Sequence, residues 1–553
     1  MRNTISQSWR PMAVLTLVYA GTRGWNLLGL PIFNDEAIYL RWAGLIRDDW
    51  ANLFIPAMDG KTPLFMWLSA AVLPMFPDPL VAGRFVSLLA GSLTVLGIFA
   101  LGKILYRPQA GLGAALVYLL LPFSLIHDRL ALADSLATCL ATGLALGLVL
   151  YFHQERRGAF TVLFLGLMLG FGFLAKTPFL IFFIFPVFGF FLLSGTHNRK
   201  AAAKLGISAL LAALVILPYF LHEPTQKVQG TDRVFHNLQV IEALWSIVTL
   251  KDRAFAGNLQ QFGEDLTAYV TWPVLIFFVA GVVGGFWKKE RKTVFLTLWF
   301  AVPTLIILLL ARQTFSRYYL FAIPPAALLA LRGWDWVWEQ GAFLREWRFK
   351  KIAMGGVAGL CLLNLLRLDL GFIADPQTAP WAEKDRWQYT ASSYSGYGIE
   401  EAVQFFKAES RKKPVTLFFS LTWGIPSDAL YLYLKNVPGI RFVEAWWASS
   451  MPLFPDNVGA TRTFRSKYQV DREEVVFWEE QKARTLFFIA RDENFPRATL
   501  LTMNPNLKFI HSFNRFEDRY GFSVYGKDPS VQILLNPEQA GDSVLSIPRE
   551  GGR

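Results

Sequence analysis

The sequence predicts a polytopic α-helical membrane protein of about 11–13 spans followed by a C-terminal extracytoplasmic α/β domain. Composition, charge spacing and strand-like runs near the end of the chain point there. Of 553 residues, 53% are hydrophobic and only 17% are charged, and the mean hydropathy is +0.34. That is too apolar for a soluble globule and long enough for a membrane body plus a further domain. The charges are bunched between long apolar stretches, as loops alternate with spans. Late in the chain, Val415-Thr-Leu-Phe-Phe, Arg441-Phe-Val-Glu-Ala-Trp and Thr485-Leu-Phe-Phe-Ile-Ala read as strands, with a helical pattern at Ser427 to Lys435 between them.

At about 20 apolar residues per span, candidates lie near 11–30, 80–105, 110–127, 133–152, 159–175, 178–194, 201–221, 268–286, 293–311, 318–332 and 352–371. The first lacks a small-residue cleavage pattern before Phe33-Asn34-Asp35-Glu36 and reads as a retained span. Pro63 to Met75 is short for a crossing and reads as an interfacial helix. With the N-terminus in the cytoplasm, Arg2, Arg10, Arg107, Arg156-Arg157, Arg199-Lys200, Lys204, Lys288 to Lys292 and Arg332 to Lys351 all fall inside. The formal charge of +12 is therefore a matter of topology, with no basic stripe for nucleic acid. Loops 31–79 and 222–266 and everything after about 372 face outward. This gives a multi-span domain over 1–372, an interfacial linker over 373–398 rich in Trp381, Trp387, Tyr389, Tyr394 and Tyr397, and an α/β domain over 399–553.

The only cysteines, Cys139 and Cys361, lie in apolar runs, so no disulfide framework is expected. With no Asn-x-Ser/Thr sequon either, a bacterial cytoplasmic membrane fits best.

Candidate chemistry lies on the outward side. Asn34-Asp35-Glu36 opens a helix whose Ile38, Trp42, Leu45 and Ile46 make one apolar face, as in a helix lying on a membrane. Its acids either cap that helix and complement its dipole or supply a base that deprotonates an acceptor hydroxyl. Lys61, just before the interfacial stretch, is placed to meet a lipid phosphate or to snorkel. His127-Asp128-Arg129-Leu-Ala-Leu-Ala-Asp134-Ser135 is too short for a solvated loop, so its charges pair or face a cavity. The structural alternative there is an Asp128–Arg129 pair with Asp134 as a cap. Lys176 sits at about membrane depth, where an unpaired cation costs roughly 2.5–3.5 kcal/mol, so an anionic partner is expected, either a protein acid or a substrate phosphate. Arg312-Gln-Thr-Phe-Ser-Arg317-Tyr318-Tyr319 adds cations beside tyrosines at another outer span end. No metal-ligand spacing or phosphate-cradling glycine loop accompanies them.

Over about 35–330 these motifs resemble the GT-C membrane glycosyltransferases, in the branch of ArnT-like aminoarabinose transferases and protein O-mannosyltransferases. The resemblance is carried by Asp35-Glu36-Ala-Ile-Tyr39, Lys61-Thr-Pro-Leu-Phe-Met-Trp67, Arg129-Leu-Ala-Leu-Ala-Asp134, Leu174-Ala-Lys176-Thr-Pro178 and Arg317-Tyr-Tyr-Leu-Phe-Ala-Ile-Pro324, in that order. It implies an inverting transfer of a hexosyl or pentosyl group from a polyprenyl-monophosphate carrier to an envelope acceptor, which is lipid A or another glycolipid, a polysaccharide or a protein hydroxyl. It implies Asp35 as base, Glu36 assisting the acceptor, Asp134 lining the same cavity, and Lys61, Lys176 and Arg317 on the donor phosphate. Tyr39, Asp128, Arg129 and Tyr318 would line the substrate cavity. Two departures, Ile38 where an arginine is usual and Thr62 where a proline is usual, point to altered donor contacts. No cofactor or obligatory metal is expected, because Lys and Arg suffice for a single phosphate. The competing expectation is a lipid-linked-sugar flippase or transporter, in which the same charges line a path and catalyse nothing.

Overall fold

The computed structural model of the chain describes residues 9–194, 199–222, 254–340, 347–419, 424–444, 483–516, 520–528 and 530. Most of the long outer loop 222–266, the stretch 341–346, the end of the expected strand at 445–446 and Arg2 lie outside the described residues. The chain divides into two compact units, one of Met1–Gly29 with Leu53–Asp385 and one of Leu30–Asn52 with Arg386–Arg553.

The first unit is helical. Among the described residues, five helices are long and apolar enough to cross a membrane: Pro79–Leu105, Ala133–His153, Arg199–Leu221, Arg291–Leu310 and Ile352–Ala374. Counting two bent pairs as single spans raises the number to seven. Several expected spans are shorter or broken, and proline explains most of the breaks. Pro108–Leu120 and Pro122–Asp128 meet at 65°, and Ala254–Tyr269 and Trp272–Trp287 at 111°, with Pro122 and Pro273 in the first turns after the bends. The stretch expected at 178–194 is a 3-10 segment, Thr177–Ile184, running into Phe185–Leu192. The one expected at 318–332 is a 3-10 segment, Ser316–Ala322, followed by Ile323–Gln340. The irregular backbone of Ser316–Ala322 is covered by protein, the condition under which it is tolerated at apolar depth.

Helix pairs in this unit pack backbone to backbone through glycine. Pro79–Leu105 and Pro108–Leu120 form a hairpin in which a Cβ at Gly102 would lie 2.5 Å from the Gly111 Cα. Trp272–Trp287 and Ile323–Gln340 meet at Gly281 and Gly333, where a Cβ on either would run into backbone of the other helix. Residues expected on the cytoplasmic side gather together: Arg107 pairs with Asp335, Lys292 donates to Leu105 O at 2.7 Å, and Arg332 pairs with Glu290 at 2.7 Å.

The second unit contains a five-stranded sheet, β1 (Val415–Phe419), β2 (Ile440–Glu444), β3 (Thr485–Arg491), β4 (Leu507–Phe516) and β5 (Tyr520–Lys527), in the order β2-β1-β3-β5-β4. β1 is parallel to both β2 and β3, whereas β5 is antiparallel to β3 and β4. β1 is buried at every position, as a central parallel strand covered on both faces should be. One face carries Phe418, Phe488, Ala490 and Tyr525 with Leu500 and Leu507. On the other, Phe405 and Phe406 of the helix Ile399–Lys412 stack edge-on against Phe487. The helix Asn34–Asp48 belongs to this unit.

Candidate active site

In the membrane unit, three separated segments bring Asp134, Lys176, Arg317 and Tyr318 together. Asp134 lies in the first turn of the helix Ala133–Leu148, where a carboxylate suits the dipole. Lys176 follows the last residue of the helix Ala159–Ala175. Its ammonium is ion-paired to Asp134 Oδ1 and stands 4.5 Å from the centre of the Tyr318 ring. This supplies the anionic partner that Lys176 requires. The Arg317 guanidinium lies 4.8 Å from the Phe315 ring centre and 5.5 Å from that of Tyr318. Asp134 and Arg317 are buried, and the Lys176 side chain is about a quarter exposed. Lys61, at the end of a turn in the same unit, is half-buried and pairs with Asp59 at 3.2 Å.

Asp128 and Arg129, expected to line a substrate cavity or to pair with each other, each take partners elsewhere in the unit. Asp128 is fully buried and accepts the Ser135 hydroxyl at 2.8 Å, beside the Tyr19 hydroxyl in space left open by Gly91. Arg129 instead donates to Trp25 O at 3.0 Å and to Asn26 O, while Arg84 donates to Leu27 O at 2.5 Å. Two cations thus satisfy the carbonyls that the helix Trp9–Gly24 leaves open beyond its C-terminus.

A second polar group was missed from the sequence. His127 Nε2 lies 3.0 Å from Ser316 Oγ, Ser316 donates to Asp385, and the Tyr269 hydroxyl donates to Asp385 at 3.0 Å. All four residues are buried, and Asp385 belongs to the stretch read as an interfacial linker. The signal was weak, because Glu383-Lys-Asp-Arg386 looks like any solvated turn. Burial pushes the Asp385 carboxyl up, while the hydrogen bonds from Ser316 and Tyr269 and the charges of Arg317 and Lys384 pull it back. With the folded-state value above the ordinary one, the associated stability is full below about pH 4 and is lost as pH rises through the raised value. Asp385→Asn is therefore expected to flatten the fall in melting temperature as pH rises above about 4. Thermal unfolding of the solubilised protein checks this, and an unchanged slope would contradict it.

In the second unit, residues 34–46 are buried except Asp35 and Tyr39, which are half-exposed one helical turn apart. The face of Ile38, Trp42, Leu45 and Ile46, expected to lie on a membrane, is buried in protein. Glu36 is fully buried and accepts the Phe33 N–H at 2.8 Å, which occupies it in capping and leaves Asp35 as the more accessible acid. Tyr39 stacks near Trp42 at 6.1 Å. Among the described residues no three His, Cys, Asp or Glu side chains converge as a metal site would require.

Residues 60–222 match the sequence model of the dolichyl-phosphate-mannose-protein mannosyltransferase family. No curated protein matches the chain. Among solved structures, the apo form of ArnT from Cupriavidus metallidurans is similar with a TM-score of 0.54 and 13% identity, over 96% of this chain and 99% of that one. The Archaeoglobus fulgidus oligosaccharyltransferase, in its complex with Zn and sulfate, is similar with a TM-score of 0.51 and 12% identity, over 91% and 72%. At these identities the likeness is one of fold.

Proposed function

We propose that this chain, which has the fold of the GT-C membrane glycosyltransferases, transfers a sugar from a polyprenyl-monophosphate carrier to an envelope acceptor with inversion. The observation that carries the proposal is the cluster in which Lys176, paired with Asp134, and Arg317 both stand beside the Tyr318 ring. Two cations beside Tyr318 at the broken ends of apolar helices suit a phosphate that must stay attached to a lipid. The family model that matches residues 60–222 is named for a polyprenyl-monophosphate sugar, which favours the same donor class.

In the proposed reaction, Asp35 takes the proton of the acceptor hydroxyl as its oxygen attacks the anomeric carbon. The bond from that carbon to the phosphate oxygen breaks, and its electron pair leaves with the carrier. Lys176, Arg317 and Lys61 stabilise the phosphate dianion through charge-assisted hydrogen bonds, chemistry within the reach of lysine and arginine for a monophosphate. Asp134 holds Lys176 in place before the donor arrives, at a depth where a lone ammonium would be costly. Tyr39 and Tyr318 offer ring faces to the sugar or carrier. We assign Glu36 to capping.

We place the protein in a bacterial cytoplasmic membrane with its N-terminus inside and its C-terminal unit outside. In support, Arg107, Lys292 and Arg332 share one group of contacts while Lys176 and Arg317 share another. The acceptor class remains an envelope glycolipid, a polysaccharide or a protein hydroxyl. The test is release of free carrier when solubilised protein is given a polyprenyl-phosphate sugar and an envelope extract. Release that requires the extract supports transfer, and an intact donor contradicts it.

A further inference from the structure

The second unit grips one stripe of the helix Asn34–Asp48. Its three tie points, Asn34, Arg41 and Asp48, are seven residues apart and so fall on one helix face. Arg41 Nη1 pairs with Asp428 Oδ1 at 2.7 Å, and its guanidinium lies 4.4 Å from the Tyr431 ring centre. Asp428 Oδ2 in turn accepts the Gly424 N–H at 2.6 Å. Lys435 pairs with Asp48 at 2.8 Å.

The tie at Asn34 reaches the proposed base. Arg491, at the end of β3 and 6% exposed, donates from Nη2 to Asn34 Oδ1 at 2.6 Å and from Nε to Ile425 O. The Ile425 N–H donates to the same Asn34 Oδ1 at 3.0 Å. Gly424, at φ +81°, brings its backbone so close that a Cβ there would collide with the Asn34 amide. Two donors on one oxygen fix which way the amide faces, since the reversed amide would set its NH2 against a guanidinium and a backbone N–H. The Asn34 NH2 is therefore held toward Asp35, with Nδ2 at 3.4 Å from Asp35 Oδ1.

We propose that Asn34 and Arg491 are positioning residues for Asp35, so that the C-terminal unit sets the orientation and proton affinity of the base through a relay from Arg491 to Asn34 to Asp35. The inference rests on the reading of Asp35 as base. An N–H donor favours the ionised carboxylate, so removing it should raise the pH at which Asp35 becomes active. The charged and titratable groups along this relay are Glu36 and Arg41 on the helix of Asp35, Asp428, which pairs with Arg41, and Tyr394, Glu493 and Asp428, which act on Arg491.

Asn34→Asp tests the relay without dismantling it. The substituted side chain keeps an oxygen for Arg491 and Ile425, but sets an acceptor where the donor to Asp35 stood. The expected result is an acidic limb of the kcat profile displaced upward by about one pH unit or more, with kcat about tenfold below wild type at pH values on that limb and recovering at higher pH, and KM within about twofold of wild type. Arg491→Met, which frees the amide to turn, should lower kcat in the same direction, with melting temperatures showing that both variants fold. An active wild type whose pH profile is unmoved by Asn34→Asp would overturn the relay alone. A wild type that transfers no sugar at any pH would overturn the reading of Asp35 and the relay with it.

Discussion

Asp35→Asn is expected to lower transfer from a polyprenyl-phosphate sugar by at least about a hundredfold, the range expected for loss of a positioned general base. Asparagine keeps the size of the side chain and removes its capacity to take a proton. The site tolerates the change sterically because Asp35 is half-exposed, on a helix that is buried from 34 to 46 except at Asp35 and Tyr39. The helix itself should stay in place, since its ties run through Asn34, Arg41 and Asp48. Donor binding should change little, as the phosphate contacts are assigned to Lys61, Lys176 and Arg317. The effect should therefore appear in kcat with KM preserved, which initial-rate measurements on solubilised protein resolve. A variant that retains more than about a tenth of wild-type kcat would remove Asp35 from the role of base.

Gly333→Leu is expected to abolish recovery of folded protein. The helices Trp272–Trp287 and Ile323–Gln340 touch at Gly281 and Gly333, and a Cβ on Gly333 would be driven into the Phe277 carbonyl and the Gly281 amide. These are backbone atoms of a neighbouring helix and have no flexible end to swing aside. Inserting even one methyl forces the helices apart, and overpacking of this kind costs about 1–3 kcal/mol or more before the leucine branches are accommodated. In a membrane, where close backbone approach is itself a source of helix association, that loss has no hydrophobic compensation. Gly355→Leu is the control, because Gly355 has nothing within 4 Å of an added Cβ. Size-exclusion profiles and thermal unfolding in detergent should show an intact peak for the control and aggregate for Gly333→Leu. Equal behaviour of the two variants would contradict the packing.

What the sequence made legible follows from which signals are local. Hydrophobic runs and charge clusters identified the helical membrane body, and β-rich runs at 415–419, 441–446 and 485–490 identified three of the five strands. The β4–β5 pair escaped because its residues, such as His511, Asn514 and Arg515, interrupt the apolar alternation. Span boundaries were overextended because apolar composition runs straight through Pro122, Pro178 and Pro273, where the backbone turns.

At the candidate site, the need of Lys176 for an anion could be argued from depth alone, and Asp134 meets it. Asp128 and Arg129 were harder, since adjacent opposite charges invite pairing, yet the chain sends one to Ser135 and the other to the carbonyls of a distant helix end. The contacts of Asn34 with Arg491 and of Ser316 with Asp385 span 457 and 69 residues, and nothing local announces either. The apolar face of the helix Asn34–Asp48 looked like a membrane surface helix because burial in lipid and burial in protein select the same residues.

The most direct test of the central claim follows a radiolabelled sugar on a polyprenyl-phosphate carrier in membranes containing the wild-type chain and a mixed envelope extract. The proposed function predicts that label leaves the carrier, enters the extract and leaves free polyprenyl phosphate behind in equal amount. Label that crosses the membrane while remaining on its carrier would contradict the transferase and make the charges around Lys176 and Arg317 part of a translocation path.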